Sequence, residues 1–144
     1  MTATRSTQEE KNYNKYRKTA KSDACPFCAI NKGHEQYITE TKHLKVIRNR
    51  TPYSLWDGQG VLEHLMVIPK VHTDSLKDLH GDAANEYVDL LSSYELQGYN
   101  VYARAQASSV RSVVHQHTHL IKTDGRSRSF LFMLRRPFYV RMSR

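Results

Sequence analysis

The sequence predicts an α+β domain built on an antiparallel sheet. Three observations predict it. Val61 to Ile68 is a short apolar, β-branched run halted by Pro69, which reads as a buried strand. Ala83, Tyr87, Leu90, Leu91 and Tyr94 recur at helical spacing between Asp82 and Leu96. Val113 to Ile121 places a histidine at every second position from 115 to 119, the period of a strand. The order strand, strand, helix, strand, strand fits an antiparallel sheet with one main helix. A length of 144 residues implies one domain, able to bury a core without disulfide staples.

The elements follow in order. Residues 1–22 read as a basic polar tail or surface helix, with Tyr13 and Tyr16 available for docking, and the domain proper spans 23–144. Cys25-Pro26-Phe27-Cys28 is a tight turn, because proline fixes φ between the two thiols. Leu44 to Arg48 reads as a short strand ended by Thr51-Pro52, and Tyr53 to Gly60 as a loop with turn signals at Asp57-Gly58 and Gly60. After the strand 61–68, Asp74-Ser75 begins helical character, and Leu76 and Leu79 form a first apolar pair. The main helix covers Asp82 to Leu96, with Gly98 as its stop. Tyr99 to Ala105 alternates as a strand, Ser108-Ser109 turns, Ser112 to Lys122 is the histidine strand, and Asp124-Gly125 turns again. Phe130 to Val140 is an apolar segment spaced by arginines, an edge strand or a dimer contact. The chain has no internal repeat and no low-complexity stretch.

Composition narrows the class. Hydrophobic residues make up 39% and charged residues 25%, ordinary values for a soluble domain. No apolar run approaches the roughly 18–20 residues of a membrane span. Met1 to Lys21 holds no apolar segment of the secretory kind, and two cysteines make no disulfide framework, so a cytoplasmic location is expected. The net charge of +8 gathers at the ends, with Arg5, Lys11, Lys15, Arg17, Lys18 and Lys21 at one and Arg126, Arg128, Arg135, Arg136, Arg141 and Arg144 at the other. That balance favours anionic partners, nucleotides or nucleic acid, against the plainer reading of a solvated surface.

His115, His117 and His119 carry the chemistry. On one face of a strand they form a row with a spacing of about 6.5–7 Å. Imidazole is a nucleophile and a metal ligand near neutral pH. Cys25 and Cys28 have the spacing of half a zinc site. The alternatives are a redox pair, which needs a thioredoxin-like setting not evident here, or two plain thiols in a turn. His64 lies inside a predicted strand and His72 just after its proline stop. Alone, a histidine in a buried strand is more often a hydrogen-bonded core residue than a catalyst.

Together, Cys25-Pro-Phe-Cys28, His64-Leu-Met-Val-Ile-Pro-Lys-Val-His72 and Ser112-Val-Val-His115-Gln-His117-Thr-His119-Leu-Ile resemble the histidine-triad superfamily, in the same order and at approximately the same spacing. The resemblance spans about residues 23–123 and is closest to the zinc-bearing, Hint-like branch. It implies an α+β fold with a histidine-triad antiparallel sheet, one main helix and a short N-terminal zinc knuckle. It implies a homodimer that binds a purine nucleotide or nucleotide conjugate and acts at its α-phosphate. The middle histidine, His117, is then the nucleophile, passing through a nucleotidyl-imidazole intermediate. His119 supports the nucleophile or the leaving oxygen, Ser112 places a hydroxyl near the phosphate, and His64 lines the same pocket. Asn49 falls where the family binds the ribose hydroxyls. Cys25, Cys28, His72 and His115 become the ligands of a structural zinc that fixes the segment carrying His117. A catalytic metal held by the three triad histidines is the rival, disfavoured because the thiolates offer a softer home.

Two departures stand out. Gln116 and Thr118 are polar where the family has hydrophobic residues, and Ser109-Val110-Arg111-Ser112 replaces a glycine-rich phosphate loop. Arg111 then either supplies the phosphate contact or faces solvent. The leading expectation is an enzyme, a histidine-triad phosphoramidase or dinucleoside polyphosphate hydrolase. The alternatives are a nucleic-acid-associated module, using the basic ends with Tyr13, Tyr16, Phe138 and Tyr139, and a non-catalytic nucleotide-binding protein on the same fold.

Overall fold

The structure is a computed structural model that describes residues 3–19, 24–127, 129–134 and 138–143, with the side chains of 5–15 and 24–127. Its elements are β1 (Ala3–Thr4), α1 (Thr7–Thr19), β2 (Tyr37–Glu40), β3 (Leu44–Arg48), β4 (Leu55–Trp56), β5 (Gln59–Pro69), α2 (Asp82–Glu95), β6 (Tyr99–Ala103), β7 (Thr118–Ser127), β8 (Ser129–Leu134) and β9 (Phe138–Ser143). A single 3₁₀ turn, Leu76–Asp78, precedes α2.

Strands β1 to β7 form one sheet in which every pairing is antiparallel. Strand β5 is its axis. On one edge it pairs with β4 at its start and β3 at its end; on the other it pairs with β7, which in turn carries β6. Strands β8 and β9 form a separate hairpin.

The pleat sorts side chains by parity, because successive residues of a strand face opposite sides. Leu44 and Val46 on β3, Leu65 and Val67 on β5, and Leu120 on β7 gather on one face with Tyr99. There Tyr87, Leu90, Leu91 and Tyr94 of α2 cover them, a stripe at helical spacing. The alternate residues Ile47, Met66 and Ile68 face the other side and pack with Phe27 and Ile30 from the segment before β2. Ile121 joins Tyr53 and Trp56 on that side too. His64 and His119 share its parity, so the histidines project from the face opposite α2.

Several expectations are corrected. Residues 112–117 have no strand pairing, and the histidine strand begins only at Thr118. The cause is local: the Gln116 N–H bonds the Thr73 carbonyl at 2.7 Å and the Arg111 side chain takes the carbonyls of Val113 and Val114, so the sheet ladder is interrupted. The stretch 53–60, read as a loop, contains β4. Asp57 and Gly58 both have positive φ, 50° and 77°, as a two-residue hairpin turn requires. Gln116 and Thr118 are buried, at 4% and 1% exposure, and Thr118 bonds the Tyr87 hydroxyl of α2 at 2.6 Å. The helix-facing side is therefore closed, with its polar groups satisfied.

At the N-terminus, β1 pairs with β4, and α1 starts at a capping box in which Ser6 and Glu9 exchange side-chain-to-backbone bonds. Within 130–140, β8 and β9 pair as a hairpin, but the side chains on which an edge or dimer contact depends lie outside the described residues, as do those of Tyr16, Phe138 and Tyr139.

Candidate functional site

A cavity of about 870 Å³ opens on the face opposite α2. Arg5, Asn49, Arg104, Ser112, His117 and His119 are among the residues that line it. Phe27 packs edge-on against the His117 ring at a centroid distance of 5.2 Å, and the His117 and His119 rings stand 5.0 Å apart, nearly perpendicular. This is tighter than an extended strand allows, because His117 lies just before β7.

The three triad histidines fan out to three different partners. His115 turns toward the cysteines. Its Nε2 lies 3.0 Å from the Pro69 carbonyl, and its Nδ1 lies 3.4 Å from Cys25 Sγ and 3.5 Å from Cys28 Sγ. His117 Nδ1 lies 2.8 Å from the His115 carbonyl. A carbonyl only accepts, so Nδ1 carries the proton and Nε2 keeps its lone pair. Burial holds the His117 pKa below the usual imidazole range, and the charges of Arg111 and Arg104 lower it further. The ring is neutral at pH 7.

His119 sits in a relay. The backbone N–H of Tyr53 donates to His64 Nδ1 at 3.2 Å, so the His64 proton resides on Nε2. That Nε2 lies 2.9 Å from His119 Nδ1 and donates to it. His119 must then carry its own proton on Nε2. Burial, with the Arg5 and His117 charges adding, pushes His64 down to about 3. His119 is held well below the ordinary value, first by burial and then by His64 and His117. His64 is 3% exposed and stands behind His119, not at the cavity wall. The Asn49 side chain lines the cavity, but its amide oxygen accepts from the Thr51 N–H at 2.9 Å, so that atom is engaged in the wall of the site. Its amide nitrogen lies 3.1 Å from His64 Nε2, and with the His64 proton on Nε2 both atoms are donors, so no hydrogen bond joins them.

Arg111 does not line the cavity. Its guanidinium bonds the carbonyls of Val113, Asp74 and Val114 and the Gln116 amide oxygen, at 2.5–3.2 Å. It braces the turn before the triad where a glycine-rich loop would brace itself with backbone amides. Arg5, Arg50 and Arg104 do reach the cavity; the sequence counts Arg5 only among the basic N-terminal residues and gives none of the three a place in the site. Arg104 donates to the Tyr53 hydroxyl at 3.0 Å, and Arg5 is sandwiched between the Tyr13 and Tyr53 rings, 4.2 and 4.8 Å from their centroids.

Beside this cavity, Cys25, Cys28, His72 and His115 bring their ligand atoms within 4.8 Å of one another. The Cys28 Sγ to His72 Nδ1 distance is 3.4 Å. An ion bound tetrahedrally at about 2.3 Å from sulfur and 2.0–2.1 Å from nitrogen separates such atoms by about 3.5 Å. The donor set therefore fits a closed metal centre. The Pro69 carbonyl holds the His115 proton on Nε2, which leaves Nδ1 for the ion, as outer partners of metal-bound histidines do. Burial and the neighbouring Cys25 push the Cys28 thiol up, a cost that a cation at the centre reverses.

No family model and no curated protein matches the chain. Solved structures do. A hypothetical histidine triad nucleotide-binding protein from Sulfolobus tokodaii is 26% identical with a TM-score of 0.54, over 69% of this chain and 68% of that one. A histidine triad nucleotide-binding protein from Candida albicans is 25% identical with a TM-score of 0.50, over 70% and 76%. A HIT family hydrolase from Legionella pneumophila, 24% identical with a TM-score of 0.52, matches in fold over 73% of this chain and 96% of that one.

This chain has the histidine-triad fold. Within that fold, the structure gathers His117, His119, Ser112 and Asn49 at one cavity and puts His64 directly behind it. The four residues of the expected metal site form one cluster on its flank. Among the described residues, no helix is long and apolar enough to cross a membrane.

Proposed function

We propose that this protein is a nucleotide hydrolase or transferase that cleaves a purine nucleotide conjugate at its α-phosphate, with His117 as nucleophile. The observation that supports this most is the bond from His117 Nδ1–H to the His115 carbonyl, which leaves a neutral ring with Nε2 as its reactive atom at a cavity of nucleotide size. Nε2 attacks phosphorus in line. The N–P bond forms as the bond to the leaving group breaks, and the leaving group departs with that electron pair. The ring becomes a phosphorylated imidazolium whose Nδ1–H stays against the His115 carbonyl. His119 offers Nε2–H to the phosphoryl oxygen, because its Nδ1 is already occupied by His64. Water or another acceptor then forms the new O–P bond as the N–P bond breaks, its electron pair returning to Nε2; the acceptor loses a proton to solvent, and the neutral imidazole returns. Fixed donors in a dry site supply most of the barrier lowering in such chemistry.

Ser112, exposed at the cavity, supplies a hydroxyl to the phosphate or leaving group, and Asn49 shapes the wall that meets the ribose. Cys25, Cys28, His72 and His115 hold a zinc ion whose chemistry is structural, since four protein ligands leave no position for water. The protein works as a homodimer in the cytoplasm. Strand β6 supports the dimer: it pairs only with β7 among the described residues and exposes Val101.

The test is a panel of an AMP-amidate and a diadenosine polyphosphate with metal-replete protein. Turnover of either supports the reading, and failure on both overturns it. His117→Ala removes turnover with the fold intact; a variant that kept most of its activity would end the nucleophile assignment.

A further inference from the structure

Resting on that reading of the cavity, we propose that Arg5 and Arg104 form a cationic clamp for the phosphates beyond the one attacked, so that the site selects conjugates whose leaving group is itself a phosphate. The two arginines meet at Tyr53. The Arg5 guanidinium lies over its ring at 4.8 Å, and Arg104 Nη2 holds its hydroxyl at 3.0 Å. The same ring packs on His64 at 4.7 Å and on His119 at 5.9 Å. Both arginines line the cavity together with His117 and His119. Beyond burial, the charges of Arg104 and Arg5 both hold the His119 ring below its ordinary value.

The segment read as a polar tail brings Arg5 there. Ala3–Thr4 is zipped to Leu55–Trp56, Arg5 Nε donates to the Thr51 carbonyl at 3.2 Å, and the Ser6 cap starts α1 so that Tyr13 covers the guanidinium. The cavity's other charged residues are Arg50 and Glu10. Arg50 is paired with Glu35 at 2.8 Å, and Glu10 is exposed at the rim. Arg5 and Arg104 therefore dominate the charge deep in the cavity.

The chemistry of guanidinium chooses the leaving group. Arginine stays protonated and presents a planar fork that matches paired phosphate oxygens. It stabilises negative charge that grows on a departing phosphate. It cannot donate the proton that a departing amine needs. A clamp of two arginines thus favours cleavage of a phosphoanhydride over cleavage of a phosphoramidate.

Binding tests the clamp separately from turnover. In His117→Ala protein, calorimetry with AMP, ADP and ATP should show affinity rising by about tenfold or more from AMP to ATP, the yield of one or two charge-assisted contacts. Arg104→Met and Arg5→Met should each remove most of that gain, and Arg104→Lys should restore part of it. Tyr53→Phe, which deletes the 3.0 Å bond and spares both cations, should keep the gain. Equal affinity for AMP and ATP overturns the clamp. So does a Tyr53→Phe protein that loses the gain as fully as Arg104→Met, because Arg104 would then act only by placing the tyrosine. In protein with His117 intact, Arg104→Met should lower kcat/KM on a diadenosine polyphosphate by about tenfold more than on an AMP-amidate. Equal losses also overturn the clamp and leave the nucleophile in place. ATP discrimination without turnover of either substrate supports the clamp and removes the catalytic reading.

Discussion

Replacing His64 with phenylalanine should lower stability at neutral pH and make it less sensitive to acid. His64 is buried and neutral, with its pKa pushed down to about 3, chiefly by burial. In the unfolded chain the same group titrates near the ordinary value of about 6.5. Between those values the unfolded chain binds the extra proton, so stability rises with pH. The contribution is complete above pH 6.5 and is lost as pH falls, at about 1.4 kcal/mol per unit. At pH 5 that is a loss of about 2 kcal/mol from this one residue. Phenylalanine does not titrate, so its protein avoids the loss. It does strand the Tyr53 N–H and His119 Nδ1, the two groups His64 satisfies, at a cost of about 1–3 kcal/mol each at any pH. The variant is therefore clearly less stable than wild type at pH 7.5, and the gap closes by about 2 kcal/mol at pH 5. Urea unfolding followed by far-ultraviolet circular dichroism at both pH values, with metal content held equal, measures it. Since His64 touches none of the four cluster residues in the metal site, metal release at low pH affects both proteins alike. A gap that stays constant within about 0.5 kcal/mol would refute the claim that this imidazole is held neutral.

Three further outcomes follow from the same geometry. Thr118→Val should cost about 1–3 kcal/mol in urea unfolding, because it strands the Tyr87 hydroxyl, and adding Tyr87→Phe should recover much of that loss. Cys28→Ser should drop bound zinc well below one per chain by elemental analysis and lower the melting temperature; full metal occupancy would remove Cys28 from the ligand set. Arg111→Ala should reduce kcat by about tenfold through a loosened turn before His117, with KM for the nucleotide changing far less. A change confined to KM would return Arg111 to the role of a phosphate contact.

The sheet was legible because its signals are local and repeated. Leu44 to Arg48 carries a strand of the stated length, and the run ending at Pro69 marks the central strand. Tyr87, Leu90, Leu91 and Tyr94 show the covered face of α2 by spacing alone. The metal cluster was legible for another reason: the chain has only two cysteines, they lie three residues apart, and few roles besides metal binding bring such a pair together with histidines. What escaped depends on long-range neighbours. Arg104 is one of many arginines, and nothing beside it in the chain says that it meets Tyr53 across the sheet. Arg5 sits in a polar stretch whose docking depends on β4, itself a strand of two residues. Signals for both segments were present: Ser6-Thr7-Gln8-Glu9 is a capping box, and Asp57-Gly58 between Trp56 and Gln59 is a hairpin turn. The early start of the histidine strand failed for a different reason. Period-two histidines imitate a pleat, but the Gln116–Thr73 bond, the Arg111 brace and the turn of His115 toward the cysteines decide where residues 112–117 run.

The spacing of the triad gains a physical reason from His115. Its ring and its carbonyl point to different tasks. The ring is fixed between the Pro69 carbonyl and the two thiols, while the carbonyl takes the Nδ1 proton of His117. A backbone acceptor is only as well placed as the residue that bears it. Anchoring the His115 side chain at the cysteine cluster therefore sets the direction of the lone pair on His117 Nε2, without that ring touching the cluster. Two residues further on, His119 enters the ladder opposite Met66 and is fixed from the other side by His64. The His117 ring is thus held between a side-chain anchor before it and a β-sheet anchor after it. Each neighbour of His117 in the triad contributes by rigidity: one through its carbonyl and the other by keeping its own Nε2–H aimed at the shared cavity.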